Sequence, residues 1–355
     1  MLAVQCCAVT AAVFDVNLNE SSTRQRLAEF IARAAGARGA RVVALERMSG
    51  GAVQENWALD VELDGAARRW VLRTDAQATV RESLTRAQEF AVLKVAHAAG
   101  VAAPEPLFLC EDPAVTGRAF FIMQRLPGIA AGHKVTRDPK IVPDPARLAR
   151  EVAANLARLH RVAPPQAGLG FLRTMQAPDC IAHYRRYLDT LPHPYPVLEW
   201  GLRWCEINAP EGEETTLIHR DYRTGNYLVH DGRLAGALDW EFAAFGNPLE
   251  DIGWICVRYW RFARPDLEVG GIAAAEDFVP EYERVSGRRV SPRDLNYWKV
   301  LSNVRWAVIA LQQLDRHLSG TEPLLEQALT GHVVGEVEQE ILDLTEAAGR
   351  RRDVL

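Results

Sequence analysis

The chain has 355 residues, 48% hydrophobic and 25% charged, with 25 glycines and 19 prolines. Those proportions exclude a collagen-like repeat, a coiled coil and a largely disordered chain, and the length fits about two domains or one large bilobal one. With 41 basic against 46 acidic residues the net charge is −5, which argues against nucleic acid as the main partner, since that partner demands a basic face.

Leu2–Val16 is apolar, yet no Lys or Arg precedes Arg24. It lacks the basic start of a secretory signal and reads as an N-terminal extension covering residues 1–20. The six cysteines are scattered and form no Cys-x-x-Cys pair, the usage expected of a reduced, cytoplasmic chain without a zinc site. Ser21-Ser22 is the cap of a predicted helix with an apolar stripe at Leu27, Phe30, Ile31 and Ala34, ended by Gly36. Three strands follow at Arg41–Arg47, Asn56–Leu63 and Arg69–Arg73. Ser49-Gly50-Gly51 lies in the first turn, and Asp64-Gly65 signals a hairpin. A helix is expected over Arg81–Ala99, closed by Gly100, then strands at Leu107–Cys110 and Ala119–Gln124.

Pro127–Pro145 is rich in Pro and Gly and reads as a boundary between lobes. Beyond it the pattern turns helical. Asp144–His160 starts with Pro145 and carries Leu148, Val152, Leu156 and Leu159 on one face. A β insertion covers Thr215–Asp239, and the tail from Pro292 is helical, with Trp298, Leu301, Trp306, Ile309 and Leu314 as core candidates. The apolar run Val304–Leu311 is broken by Arg305 and is too short to span a bilayer, so no membrane partner is expected. The fold class is α+β: a small β-rich lobe over 21–126 and a larger, mostly helical lobe over 127–355.

The segment with chemistry in it is Leu217–Asp251. A short strand runs into His219-Arg220-Asp221, and Asn226 follows Asp221 by five residues. A hairpin with Asp231-Gly232 at its turn then ends in Leu238-Asp239. That geometry gathers Asp221, Asn226 and Asp239 at one end of a two-stranded ribbon. Two carboxylates and an amide oxygen make a hard-oxygen set suited to Mg²⁺. Phosphoryl transfer uses such a set, with one carboxylate to orient an attacking hydroxyl and receive its proton.

At these residues the chain resembles the kinase catalytic loop H-x-D-x-x-x-x-N. It is more similar to the aminoglycoside phosphotransferase (choline kinase-like) family, in which the second acid appears within a D-W-E run, here Leu238-Asp239-Trp240-Glu241. Gly246-Asn247-Pro248-Leu249-Glu250-Asp251 and Leu156–His160 resemble further motifs of that family, and Asp251–Phe262 is similar to a run in provisionally assigned aminoglycoside phosphotransferases. The resemblance covers most of Ser21–Gly349. It implies a bilobal protein kinase-like fold, ATP and Mg²⁺ as cofactors, and a small-molecule hydroxyl as acceptor. Asp221 is then the base, His219 a brace for the loop, and Asn226 and Asp239 the metal ligands. Asp251 caps a helix or supports the loop, His160 packs in its helix, and Glu241 fits either a supporting position or the metal set.

For the β-rich lobe, period-two alternation puts Val71 and Arg73 on one strand face. The resemblance places ATP over that face, with Arg73 where a Lys is usual and Glu89 as its helix partner. The alternatives are an edge-strand surface charge for Arg73 and a solvated helix face for Glu89. Ser49, Gly50 and Gly51 fall where a phosphate-covering loop belongs, and Met123-Gln124-Arg125-Leu126 where a hinge would meet adenine through its backbone.

Only Trp240–Glu250 separates Asp239 from Asp251, too little to dock a peptide, so a protein kinase is disfavoured. Glu211-Gly212-Glu213-Glu214 would suit a polycationic aminoglycoside but also reads as a solvated loop. Arg223, within the catalytic loop, and Arg258 with the basic-aromatic stretch to Arg264 suit an anionic or aromatic acceptor such as a hydroxyacyl-CoA. That stretch also reads as packed aromatics with solvated arginines. The rival of another class is a nucleotide-binding scaffold without catalysis.

Overall fold

Five antiparallel strands make the first sheet, in the order β1-β2-β3-β5-β4. They are β1 (Ala40–Arg47), β2 (Gln54–Leu63), β3 (Ala66–Asp75), β4 (Pro106–Cys110) and β5 (Phe120–Gln124). The computed structural model describes residues 18, 20–48, 54–75, 83–212, 214–262, 264–321 and 323–352. The Leu2–Val16 extension and the Ser49-Gly50-Gly51 turn lie outside them. The hairpin from β2 to β3 turns at Asp64 (φ 49°) and Gly65 (φ 81°), the pair of positive φ angles that a two-residue type I′ turn needs.

One face of this sheet is covered by helix α1 (Ser21–Ala35). Leu27, Phe30 and Ile31 meet Leu45, Leu59, Val61, Trp70, Leu72, Phe120 and Ile122 in one apolar cluster. The strand members alternate as a pleated sheet requires. Two expectations change here. Ser21 and Ser22 sit inside the first turn, Glu20 holds the cap position, and no side chain caps the helix. Ala34 is exposed, so the stripe ends at Ile31. The opposite face carries Val71, Arg73 and Phe121. Phe90 of helix α2 (Arg86–Ala98) lies 5.9 Å from Phe121, ring to ring.

Helix α2 begins at Arg86 rather than Arg81. Thr85 and Gln88 exchange hydrogen bonds: the Gln88 N–H donates to Thr85 Oγ1 and the Thr85 N–H to Gln88 Oε1. That reciprocal cap fixes the first turn. Gly100, at φ 79°, closes the helix.

The chain divides into two compact units. The first is Met1–Phe90 with Glu105–Arg125; the second is Ala91–Pro104 with Leu126–Leu355. The second unit thus takes the rest of α2 from within the segment read as the β-rich lobe.

In the second unit the helices are α3 to α12 less the first of them: α3 (Pro113–Thr116) belongs to the first unit, and α4 (Gly132–Val135), α5 (Pro145–Leu159), α6 (Ala177–Leu188), α7 (Pro196–Asn208), α8 (Leu249–Ile255), α9 (Ala275–Ser286), α10 (Pro292–Leu318), α11 (Leu325–His332) and α12 (Val334–Arg352) follow. Asp144 caps α5 by accepting from the Arg147 N–H. Leu148, Val152, Leu156 and Leu159 of α5 are fully buried. The 27-residue α10 is buried along most of its length, packed with α6, α7 and α12 in one apolar cluster. No helix among the described residues is long and apolar enough to cross a membrane.

The β insertion divides between two sheets. β7 (Thr216–Ile218) pairs with β10 (Ala244–Gly246), which also pairs with β6 (Thr174–Met175). β8 (Tyr227–His230) and β9 (Arg233–Ala237) form a ribbon of their own. The ribbon turns at Asp231 (φ 49°) and Gly232 (φ 71°).

Candidate active site

In the first unit the candidate residues sit on regular elements. β3 hydrogen-bonds to β2 on one side and β5 on the other. Arg73 is therefore on a central strand and only 3% exposed, so the edge-strand alternative does not hold. Its Nε lies 3.0 Å from Glu89 Oε1 and 3.1 Å from Oε2, and its Nη1 donates to Asn56 Oδ1 at 3.3 Å. Glu89 is buried rather than solvated. It also pairs with Arg86 Nη1, and Arg86 Nε lies 2.8 Å from Asp75. The Glu89 carboxylate is thus shared by two guanidiniums. Arg86, three residues before Glu89 and on the same helix face, escaped the sequence reading although its spacing is that of an ion pair. Val71 is buried two residues before Arg73. Gln124 is exposed at the end of β5, and its backbone N–H is taken by the Glu105 carbonyl at 2.8 Å. Ser49, Gly50 and Gly51 lie outside the described residues.

In the second unit the chemistry sits on a loop. β7 delivers His219-Arg220-Asp221, β8 starts after Asn226, and β9 ends just before Leu238-Asp239. The Leu238 N–H donates to the Asn226 carbonyl at 2.8 Å, which ties the two ends of the ribbon together. Asp239 is half-buried in the left-handed region, at φ 59°. Asn226 Nδ2 donates to Asp221 Oδ2 at 2.5 Å and to the Asp221 carbonyl at 3.0 Å. With Nδ2 so turned, Oδ1 of Asn226 is the atom left for a cation. The donor set fits Mg²⁺, which Asn226 Oδ1 and the Asp239 carboxylate would hold as hard oxygen ligands. Glu241 is buried, 6% exposed.

His219 is fully buried. Its Nδ1 accepts from the Asp221 N–H at 3.2 Å, so Nε2 carries the proton and donates to the Leu238 carbonyl at 2.8 Å. Burial pushes its pKa down. A neutral imidazole with both nitrogens committed braces the loop.

Beneath the loop lies Asp251 on α8. Its Oδ2 accepts from the His219 N–H at 2.8 Å and from His160 Nε2 at 3.1 Å; its Oδ1 accepts from the Arg220 N–H at 2.7 Å. Burial works against its charge, but the hydrogen bonds from His160 and the loop outweigh it and hold its carboxyl below the ordinary value. His160 is kept neutral by burial, opposed by Asp251, and its Nδ1 accepts from the Tyr282 hydroxyl at 2.8 Å. Of the two readings of Asp251, loop support is the one observed. His160, read as a packed helix residue, is its partner.

Arg220 is in the left-handed region at φ 64°, a conformation uncommon in such a residue. Three contacts hold it: its N–H on Asp251, its Nε on Glu250 Oε1 at 2.9 Å and its Nη1 on Met175 Sδ at 3.0 Å. Arg305 of α10 reaches the same Glu250 oxygen at 3.4 Å.

Asp221 receives two more donors. Arg223 Nε lies 3.1 Å from Oδ1, and Trp254 Nε1 donates to the same oxygen at 2.8 Å. The Arg223 guanidinium also covers the Trp260 ring at 4.2 Å. Sequence reasoning missed Trp254; the signal was its place three residues after Asp251 on one helix. The basic-aromatic stretch proves to be packed aromatics with paired arginines. The Trp260 and Trp306 rings pack 4.6 Å apart, tilted by 57°, Arg261 is buried on Glu340 at 2.8 Å, and half-exposed Arg258 lies 3.4 Å from the same carboxylate. Glu214 is tied to Arg288 at 2.6 Å.

This loop, ribbon and supporting helix lie within a stretch, residues 44–288, that matches the sequence model of the phosphotransferase enzyme family, APH. The chain belongs to that family. Among solved structures, this APH-family chain is similar to a Ralstonia eutropha JMP134 protein provisionally assigned as an aminoglycoside phosphotransferase. The TM-score is 0.74 at 20% identity, covering 91% of this chain and 98% of that one. It is also similar to aminoglycoside phosphotransferase APH(4)-Ia, solved with AMP-PNP and hygromycin B (TM-score 0.56, 16% identity, 90% and 98% covered). Macrolide 2′-phosphotransferase MphH from Brachybacterium faecium gives a TM-score of 0.57 at 18% identity, with 89% and 97% covered. The architecture is the α+β, kinase-like one these proteins share.

Curated relatives include acyl-CoA dehydrogenase family member 10 of Mus musculus, 28% identical over 72% of this chain and 25% of its own length. Member 11 of Homo sapiens is 26% identical over 73% of this chain and 35% of its length. The chain thus spans about a quarter to a third of these relatives.

Proposed function

We propose that this APH-family chain transfers the γ-phosphoryl group of ATP to a hydroxyl of a small molecule. The observation that carries the reading is the gathering of Asp221, Asn226 and Asp239 at one end of the β8–β9 ribbon, with the Asn226 amide turned so that its N–H₂ serves Asp221 and its oxygen remains for a cation. Asp221 is the base. It orients the acceptor hydroxyl and takes its proton as the new O–P bond forms and the bond from the γ-phosphorus to ADP breaks. Mg²⁺, held by Asn226 and Asp239, would neutralise charge on the phosphate oxygens when bound. On the first unit, Arg73, fixed by Glu89, stands where the family's usual Lys would and supplies the positive charge that nucleotide phosphates need. His219 and Asp251 keep the loop in shape.

A second reading concerns the acceptor alone. The curated relatives are acyl-CoA dehydrogenase family proteins by name, which supports a hydroxyacyl-CoA over an aminoglycoside.

The test is ADP release with Mg·ATP across aminoglycosides, choline-like alcohols, sugars and hydroxyacyl-CoAs. One class should raise ADP formation, and Asp221→Ala should lower it by about 10²- to 10⁴-fold. Asp239→Ala should weaken Mg·ATP binding. Full transfer by Asp221→Ala would sink the assignment of the base. Tight Mg·ATP binding with no ADP formed from any acceptor would favour a silent scaffold.

A further inference from the structure

We propose that Trp254 is a positioning residue for Asp221, and that its indole N–H decides which carboxylate oxygen reacts; this rests on the reading of Asp221 as the base. The two oxygens of Asp221 are not equivalent. Among the described residues, Oδ1 accepts from both Arg223 Nε (3.1 Å) and Trp254 Nε1 (2.8 Å), whereas Oδ2 accepts from Asn226 Nδ2 alone. A carboxylate oxygen has about two lone-pair sites. Oδ1 is therefore saturated and serves as the anchor. Oδ2 keeps a site for the acceptor hydroxyl and is the oxygen that takes its proton.

Trp254 suits this task. It is 2% exposed on α8, its ring 5.5 Å from Trp260 and 6.2 Å from Trp306, so the indole cannot turn away without repacking the cluster. The Arg305 guanidinium lies over its ring at 4.3 Å. A cation on the π face withdraws electron density and makes the indole N–H a better donor. Asp251, three residues earlier on the same helix, fixes the backbone of the loop that carries Asp221. Helix α8 thus sets both the backbone and the side chain of the base.

Trp254→Phe keeps the ring and deletes the N–H. The readout is Mg·ATP hydrolysis with water as acceptor, which needs no identified substrate. The rate at saturating ATP should fall about 10- to 100-fold, the worth of one hydrogen bond to a charged group, while KM for ATP stays within about twofold. A merely structural role for the ring, whose packing phenylalanine keeps, would leave the rate at saturating ATP in place. In ¹⁵N-tryptophan-labelled protein that keeps Trp254, Asp221→Ala should shift one indole N–H resonance upfield; this arm holds even if Trp254→Phe does not fold. A Trp254→Phe protein with a normal rate, or an indole spectrum unmoved by Asp221→Ala, overturns the proposal. If Asp221→Ala itself retains full hydrolysis, the assignment of the base falls first.

Discussion

Two buried charge clusters differ in what holds them. The Arg73–Glu89–Arg86–Asp75 cluster of the first unit joins a central strand to a helix, and each charge is matched mainly by another side chain. The Asp221 loop of the second unit has no regular structure, and its backbone N–H groups at His219 and Arg220 rest on the Asp251 carboxylate. A strand or helix satisfies its own backbone, so its side chains need only balance charge. A loop brings orphan N–H groups and strained dihedrals, and a buried acid must satisfy them. The same ionised residue types thus make a clamp in one place and a scaffold in the other.

The sharpest way to break that contrast is Asp251→Ala. It removes the acceptor of two loop N–H groups and of His160, and should cost about 3–5 kcal/mol, as breaking a buried charged network does. Hydrogen exchange should rise across Thr216–His230 while β2 and β3 stay protected. Equal loss of protection in both units would erase the distinction. Glu89→Gln comes next. It leaves Arg73 and Arg86 facing each other around a neutral amide, at a cost of about 2–4 kcal/mol. KM for ATP should rise several-fold with exchange in the Asp221 loop unchanged.

Gly253→Ala is smaller and tests α8 alone. An added Cβ would stand 2.5 Å from the Trp298 carbonyl oxygen of α10, and the enforced shift should cost about 1–3 kcal/mol, seen as a lower midpoint in urea. The smallest effect is that of acid. His160 and His219 are held neutral by burial. Below their ordinary value of 6.5 the unfolded chain binds protons that the folded chain refuses, so stability is full above that pH and declines beneath it. Unfolding midpoints at pH 7 and pH 5 should show the decline. A midpoint that rises on acidification would show the imidazoles charged in the folded state.

How much of this the sequence disclosed follows from distance along the chain. Asp221, Asn226 and Asp239 fall within 19 positions, and hairpin geometry brings them together without tertiary information. Strand alternation put Arg73 on one face with Val71, and the resemblance to the family supplied Glu89 as its partner. The supports were hidden. His160 meets Asp251 across 91 positions, Tyr282 meets His160 across 122, and Arg305 reaches Glu250 across 55. No local pattern encodes such pairs; they exist only once α5, α8, α9 and α10 pack. Helix starts were partly legible: Pro145 opens α5 as read, with Asp144 as its cap, whereas Ser21-Ser22 gave way to Glu20, and Thr85 with Gln88 moved the start of α2.

Helix α8 is only seven residues long, yet Glu250, Asp251 and Trp254 each grip a different part of the reactive loop: the Arg220 side chain, two backbone amides and the carboxylate of Asp221. Their spacing is set by the pitch of one turn, so none can be adjusted without moving the others. A single inserted residue between Asp251 and Trp254 would rotate the indole by about 100° away from its target. The loop is therefore not a portable part: transplanted to another scaffold, Leu217–Asn226 would need α8 and the α10 surface beneath it to keep its shape.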